Sequence, residues 1–80
     1  MYELYYTAEF KVDIKKLDGS MRERLKKVIE KILEGPTRFK HLREGDQRYR
    51  VRFEVYRVLY RVVGNRVEFV RVGKRDNVYY

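Results

Sequence analysis

The sequence has no cysteine, one proline and one histidine, and its apolar runs are no longer than three residues. The lack of cysteine excludes a disulfide scaffold, a thiolate metal site and a cysteine nucleophile. A membrane-spanning helix needs about 20 apolar residues, so none is predicted. The N-terminal residues also lack the basic and apolar regions of a signal peptide. We therefore expect a soluble, cytoplasmic protein that does not enter a membrane.

Acidic residues are fewer than basic ones, because 20 Lys and Arg stand against 12 Asp and Glu and give a net charge of +8. A length of 80 residues predicts a single domain, residues 1–80, with a core too small for a deep catalytic cleft. The hydrophobic content of 44 % argues against disorder. Such a positive charge is typical of a protein that binds a polyanion, although an acidic protein partner or simple solubility also explains it.

The first half of the chain predicts a strand followed by two helices. Residues 2–6 are rich in tyrosine and indicate a short strand. Phe10, Ile14 and Leu17 recur at helical spacing after a potential cap at Thr7, and we expect a helix there, although residues 9–14 also alternate as a strand would. The sequence DGS at 18–20 ends this element.

The second helix has the clearest pattern in the sequence. Ser20 and Glu23 have the spacing of a capping box, and Gly35 followed by Pro36 is typical of a helix C-terminus. Its predicted apolar face consists of Met21, Leu25, Val28, Ile29, Ile32 and Leu33. A polar link over residues 37–47 follows, in which Phe39 and Leu42 are the expected anchors to the core.

From Arg48 onwards the hydrophobic period changes to two, which predicts strands at 48–53, 56–63 and 66–72. The sequences Glu54-Val55 and Gly64-Asn65 supply two-residue turns. The predicted fold is a small α+β domain of order β-α-α-β-β-β. It has a mainly antiparallel four-stranded sheet and a pair of helices on one face.

Two-residue turns fix the register of both hairpins. The first hairpin sets Arg52 opposite Arg57 and Arg48 opposite Arg61. The pairs predicted for the second hairpin are Val62 with Val67, Arg61 with Glu68, Tyr60 with Phe69, Leu59 with Val70 and Arg57 with Val72. Like charges opposite each other in a sheet cost roughly 0.2 to 1 kcal/mol per pair, which suggests a cost tolerated for function.

The register gathers the arginines on the side of the sheet away from the helices, around Leu59, Val70 and Val72. We call this side the arginine face, and its cationic residues are Arg48, Arg50, Arg52, Arg57 and Arg61. Residues 48–75 carry a balance of +7, nearly the whole net charge. The guanidinium fork suits bidentate phosphate contacts, which favours a phosphate-rich ligand; the alternative is a solvated face that opposes aggregation.

The run YRVRFEVYRVLYRV at 49–62, followed by EFVRVGKRDNVY at 68–79, resembles the RelE/ParE superfamily of toxins from type II toxin-antitoxin systems. The resemblance covers essentially the whole chain and favours the RelE branch, because the basic positions correspond. It implies a RelE-like fold and cleavage of mRNA in the ribosomal A site by attack of the ribose 2′-hydroxyl on the adjacent phosphate. It implies no metal or other cofactor. It also implies a RelB-like antitoxin partner in a hetero-oligomer.

The same resemblance implies roles for individual residues. Arg52 and Arg57 are expected to clamp the phosphate, Arg75 to lie nearest the leaving 5′-oxygen, and Tyr79 to stack on a base or relay a proton. The additional RNA-binding residues are expected to be Arg48, Arg50, Arg61 and Lys74. Arg50 and Arg52 stand where studied relatives have lysines, and a guanidinium with a pKa above about 12 is a poor base, so no general base is assigned.

The remaining ionisable residues have structural interpretations, and two other functions fit the same pattern. His41 is interpreted as a structural or surface residue, and Glu54 and Glu68 as turn and cross-strand partners; no metal-ligand spacing is present. A ParE-like toxin that poisons DNA gyrase, or a degenerate toxin that only binds its antitoxin, is the second hypothesis. A basic module that binds RNA or DNA without cleavage is the third.

Overall fold

A computed structural model describes residues 2–41 and 48–74 of the chain. It confirms the predicted α+β fold of two helices packed on one face of a sheet, and adds one short strand. The elements are β1 (Glu3–Tyr6), α1 (Ala8–Lys15), α2 (Gly19–Glu34), a 3-10 helix (Pro36–Arg38), β2 (Lys40–His41), β3 (Arg48–Phe53), β4 (Tyr56–Val63) and β5 (Arg66–Lys74). The strand order is β1-β5-β4-β3-β2, and β1 runs parallel to β5, so the sheet is mixed.

Both helices start at side-chain caps. The Thr7 hydroxyl accepts a hydrogen bond from the Phe10 amide at 3.1 Å, which confirms the predicted start of α1. The α2 helix begins at Gly19, and its cap is Asp18, whose carboxylate accepts the Met21 amide at 2.8 Å. The predicted Ser20 cap is therefore wrong, because the carboxylate two residues earlier takes the free amide; this hydrogen bond lowers the pKa of Asp18.

The core lies between the helices and the sheet. The α2 helix buries Leu25, Ile29 and Ile32, as its apolar period predicts, and α1 contributes Phe10. The Phe10 ring lies 5.5 Å from the Phe69 ring of β5. Each fully buried side chain of this size contributes about 1.5 to 3 kcal/mol, so these contacts hold the helices on the sheet.

The first hairpin has the predicted register at all six pairs, from Phe53 opposite Tyr56 to Arg48 opposite Arg61. Its turn places Glu54 at φ +55°, in the left-handed region that favours glycine. Glu54 also forms an ion pair with Arg24 of α2, with 3.2 Å between the Arg24 Nη1 and the Glu54 Oε1, so the turn contacts the helical layer.

The second hairpin agrees with prediction only near its turn. Tyr60 lies opposite Phe69, but a bulge at Val70 then shifts the register, so that Leu59 faces Arg71 and Val58 faces Val72. The predicted pairs Leu59 with Val70 and Arg57 with Val72 are wrong. Strict alternation of side chains along β5 would place Arg71 in the core. The extra residue at the bulge prevents this, because it exchanges the faces of the sheet on which the following residues lie. The β5 strand also runs two residues further than predicted, to Lys74.

The predicted polar link contains β2, whose residues Lys40 and His41 pair with Arg50 and Tyr49. Phe39 is half-buried against the core, as expected, while Leu42 lies outside the described residues. In the described ranges, 2–41 and 48–74, no helix has the length and apolar character needed to cross a membrane.

Candidate nucleic-acid interface

The arginine face is formed by β3 and β4 on the side of the sheet opposite the helices. The confirmed register of the first hairpin places all five predicted arginines there, around Leu59, which is only 2 % exposed. Arg52 and Arg61 are exposed, whereas the other three arginines are half-buried. Val72, predicted on this face, is instead buried in the core at 1 % exposure, because of the bulge at Val70.

One end of the arginine face carries its own counter-charge. Glu68 of β5 is 8 % exposed, and its carboxylate accepts a hydrogen bond from the Arg61 Nε at 2.5 Å and one from the Arg66 Nη1 at 3.3 Å. This confirms the interpretation of Glu68 as a cross-strand partner. The charge of Arg61 is thereby largely neutralised, and its guanidinium has fewer donors for an external ligand.

The opposite end of the arginine face consists of Arg50, Arg52 and Arg57. Within the described part of the chain, no carboxylate pairs with Arg50, Arg52 or Arg57. The Nε of Arg57 is buried and has no hydrogen-bond partner among these residues. A buried donor without an acceptor costs about 1 to 3 kcal/mol, so a small shift of the Arg57 side chain that brought this donor to an anionic oxygen would remove the cost. This end is therefore suited to bind a phosphate.

The bulge places Gly73 opposite Arg57, so no side chain of β5 lies directly opposite that arginine. Lys74 lies opposite Tyr56, and its register position is on the helix side of the sheet. There it lines a cavity of about 240 Å³ with Asp13 and Tyr56. Lys74, expected among the RNA-binding residues, therefore lies at the Arg52–Arg57 end of the sheet but on the face opposite the arginines.

Two predicted site residues, Arg75 and Tyr79, lie outside the described residues, and His41 is described only by its backbone. The described chain ends at Lys74, opposite Tyr56 and therefore next to the Arg52–Arg57 pair. In the described ranges, no three acidic or histidine side chains come together as metal ligands would.

Sequence reasoning missed the ion pair of Asp13 with Arg71. Asp13 of α1 is 5 % exposed, and its carboxylate accepts hydrogen bonds from the Arg71 Nε at 2.7 Å, the Arg71 Nη2 at 3.3 Å and the Val72 amide at 3.0 Å. The hydrogen bond with Asp13 raises the pKa of Arg71. The available signal was Arg71 itself, which strict alternation would have placed in the core.

Together the fold and the arginine face define a small α+β domain in which Arg50, Arg52 and Arg57 have no carboxylate partner among residues 2–41 and 48–74. Comparison with known proteins agrees with this class. The sequence matches the family model of the ParE toxin of type II toxin-antitoxin systems over residues 4–79. The chain belongs to the RelE/ParE superfamily of toxins and is close to RelE.

Solved structures give the same result. The chain is similar to RelE in the intact RelBE toxin-antitoxin complex of E. coli, with 30 % identity, a TM-score of 0.80, and coverage of 92 % of this chain and 96 % of that one. The isolated E. coli RelE toxin matches with 30 % identity, a TM-score of 0.81, and coverage of 92 % and 84 %. RelE in the RelB-RelE complex of Methanococcus jannaschii matches with 26 % identity, a TM-score of 0.76, and coverage of 94 % of each chain. No curated protein sequence matches significantly.

Proposed function

We propose that the chain is a RelE-type toxin that cleaves mRNA on the ribosome and thereby inhibits translation. The observation that carries the proposal is the group Arg50, Arg52 and Arg57, which has no carboxylate partner in the described ranges, with the Arg57 Nε buried and unpaired. The similarity to E. coli RelE at 30 % identity supports the same function.

The proposed reaction is an internal transfer at phosphorus. The ribose 2′-oxygen loses its proton and bonds to the adjacent phosphorus, the bond from phosphorus to the 5′-oxygen breaks, and that oxygen takes up a proton. The products are a 2′,3′-cyclic phosphate and a free 5′-hydroxyl. Negative charge grows on the phosphoryl oxygens in the transition state, so fixed guanidinium groups stabilise it more than the ground state.

In this reaction Arg57 and Arg52 clamp the scissile phosphate. Arg57 is the stronger candidate because it is half-buried between strands, where its charge is less screened by solvent. We also propose, from the resemblance, that Arg75 supports the leaving 5′-oxygen and that Tyr79 stacks on a base or relays a proton.

The remaining basic residues bind the RNA backbone with unequal strength. Arg50 has no carboxylate partner in residues 2–41 and 48–74, and Arg48 lies on the same face. Arg61 contributes less, because Glu68 already occupies its Nε. Lys74 reaches a part of the RNA that passes around the end of the sheet.

A cognate antitoxin is the second proposed partner. The E. coli and M. jannaschii relatives were each solved in complex with RelB. An acidic antitoxin segment that covers the arginine face would neutralise its charge and raise the stability of this small domain by mass action. The proposed complex is a toxin-antitoxin hetero-oligomer.

A ParE-like inhibitor of DNA gyrase, or a toxin that only binds its antitoxin, is the alternative function, and the match to the ParE family model favours it. The two functions separate in one experiment. The purified protein is added to a reconstituted translation reaction, and the mRNA is mapped by primer extension; DNA supercoiling by gyrase is assayed in parallel. Cleavage of mRNA within codons supports the proposal, whereas intact mRNA with inhibited gyrase supports the alternative.

A further inference from the structure

The end of β5 is held by side chains of the helical layer where its neighbouring strand has ended. The β1 strand pairs with β5 only as far as Tyr6 opposite Phe69. Beyond this point the edge of β5 would be left without a partner. The Thr7 hydroxyl donates to the Val70 carbonyl at 2.8 Å, and Asp13 accepts the Val72 amide at 3.0 Å. These two side chains replace the missing strand.

These bonds flank the bulge at Val70. Thr7 binds the carbonyl of the bulged residue itself, and Asp13 binds the two residues that follow it. The bonds to Asp13 are charge-assisted and the carboxylate is 5 % exposed, so they are stronger than neutral surface bonds. The shift in side-chain alternation along β5 thus depends on Thr7 and Asp13, which lie outside that strand.

The same shift in alternation determines which residue of β5 lies opposite Arg57. Because of the bulge, Gly73 faces Arg57 and Val72 enters the core. Without it, the branched side chain of Val72 would project onto the arginine face beside Arg57. If the end of β5 were loose, the strand that flanks Arg57 on one side would no longer hold its half-buried side chain in place.

We propose that Asp13, assisted by Thr7, is a positioning residue: it fixes the bulged end of β5 and so holds Arg57 in the geometry that binds the scissile phosphate. This inference rests on the proposed function, since it assigns a role within the same site. Asp13 lies on α1, which does not contribute to the arginine face, and acts through β5.

The first test is structural and needs no RNA. Asp13→Ala is compared with Glu30→Ala, which removes the same charge from the exposed surface of α2, and with Asp13→Asn, which keeps an acceptor for the Val72 amide. Nuclear magnetic resonance measures the cross-strand contact of Arg57 with Gly73 and the hydrogen exchange of the Val72 amide. We expect Asp13→Ala to weaken the contact and to speed exchange at least tenfold, with Asp13→Asn intermediate and Glu30→Ala unchanged.

The second test is kinetic. In single-turnover mRNA cleavage on ribosomes, Asp13→Ala is expected to lower the maximal rate at least tenfold, with less than a threefold change in the ribosome concentration at half-maximal rate. On an Arg57→Lys background the same substitution is expected to lower the rate less than threefold, because its effect passes through Arg57. A purely structural role would give equal losses on both backgrounds and would overturn the inference.

The outcomes also separate the inference from the proposed function. If the unaltered protein does not cleave mRNA, the proposed function fails, and the contact of Arg57 with Gly73 decides the structural claim. If that contact persists in folded Asp13→Ala, the inference is wrong regardless of the activity. If Asp13→Ala does not fold, Asp13→Asn is measured in its place: a weaker Arg57–Gly73 contact and faster Val72 exchange than in Glu30→Ala support the inference, and values equal to those of Glu30→Ala overturn it.

Discussion

Replacement of Arg52 by glutamine is expected to stabilise the fold while it weakens RNA binding. Arg52 is exposed and lies directly opposite Arg57, and no carboxylate in the described ranges pairs with either. Two unit charges about 5 Å apart in water repel by about 0.8 kcal/mol, and measured cross-strand pairs give roughly 0.2 to 1 kcal/mol. Removal of one charge should therefore raise the free energy of unfolding by about 0.5 kcal/mol.

For a domain of this size, 0.5 kcal/mol corresponds to a rise in Tm of about 2 to 4 °C, which calorimetry measures directly. Binding to a short single-stranded RNA should weaken roughly threefold to tenfold. The slope of log affinity against log salt should fall by about 0.7, since one phosphate contact is lost. High salt should reduce the gain in Tm, because it screens the repulsion between exposed charges.

The matched variant is Arg61→Gln at the other end of the same face. Arg61 also lies opposite an arginine, Arg48, but Glu68 binds it, so its removal leaves a buried carboxylate with one partner fewer. We expect Arg61→Gln to lower the Tm and to change RNA affinity less than Arg52→Gln does. A lower Tm for Arg52→Gln would refute the repulsion between Arg52 and Arg57. An unchanged salt dependence of RNA binding would refute the contact of Arg52 with a phosphate.

Three further predictions concern the stability of the fold. The hydrogen bond from the Met21 amide lowers the folded-state pKa of Asp18. The carboxylate therefore stabilises the fold above about pH 4, and this contribution is lost as the pH falls further. The difference in Tm between the unaltered protein and Asp18→Ala should shrink in acid. Glu54→Gly should raise the free energy of unfolding in urea by about 0.5 to 1 kcal/mol, because Glu54 has a φ of +55° and its ion pair is exposed; a lower value would contradict the argument from strain. Tyr60→Phe should cost about 1 to 2 kcal/mol in the same assay, since the buried Tyr60 hydroxyl donates to the Pro36 carbonyl at 2.6 Å; an unchanged midpoint would show that the bond contributes nothing.

The sequence predicted the helices and the first hairpin because local signals determine them. The apolar period of α2 identified its buried residues, and the two-residue turn after Phe53 fixed every pair of β3 with β4. The Arg52–Arg57 pair followed from that register. These features depend on residues close together in the chain, where pattern and turn length are sufficient.

The bulge and its partners were missed because they depend on contacts between distant residues. Asp13 and Val72 are 59 positions apart, and no periodicity links them. Strict alternation therefore placed Val72 on the arginine face and Leu59 opposite Val70. The parallel pairing of β1 with β5 was also beyond local reasoning, since both helices and the strands β2, β3 and β4 separate the two strands in the chain.

Cleavage of mRNA on translating ribosomes by the unaltered protein, Arg57→Ala and Lys27→Ala tests the central claim most directly. Lys27 is exposed on α2, so its replacement removes one positive charge away from the arginine face, and circular dichroism verifies that each variant is folded. We predict cleavage by the unaltered protein and by Lys27→Ala at similar rates, and a loss of at least a hundredfold, or about 2.7 kcal/mol of transition-state stabilisation, in Arg57→Ala. Intact mRNA in every reaction, or equal cleavage by a folded Arg57→Ala variant, would contradict the account.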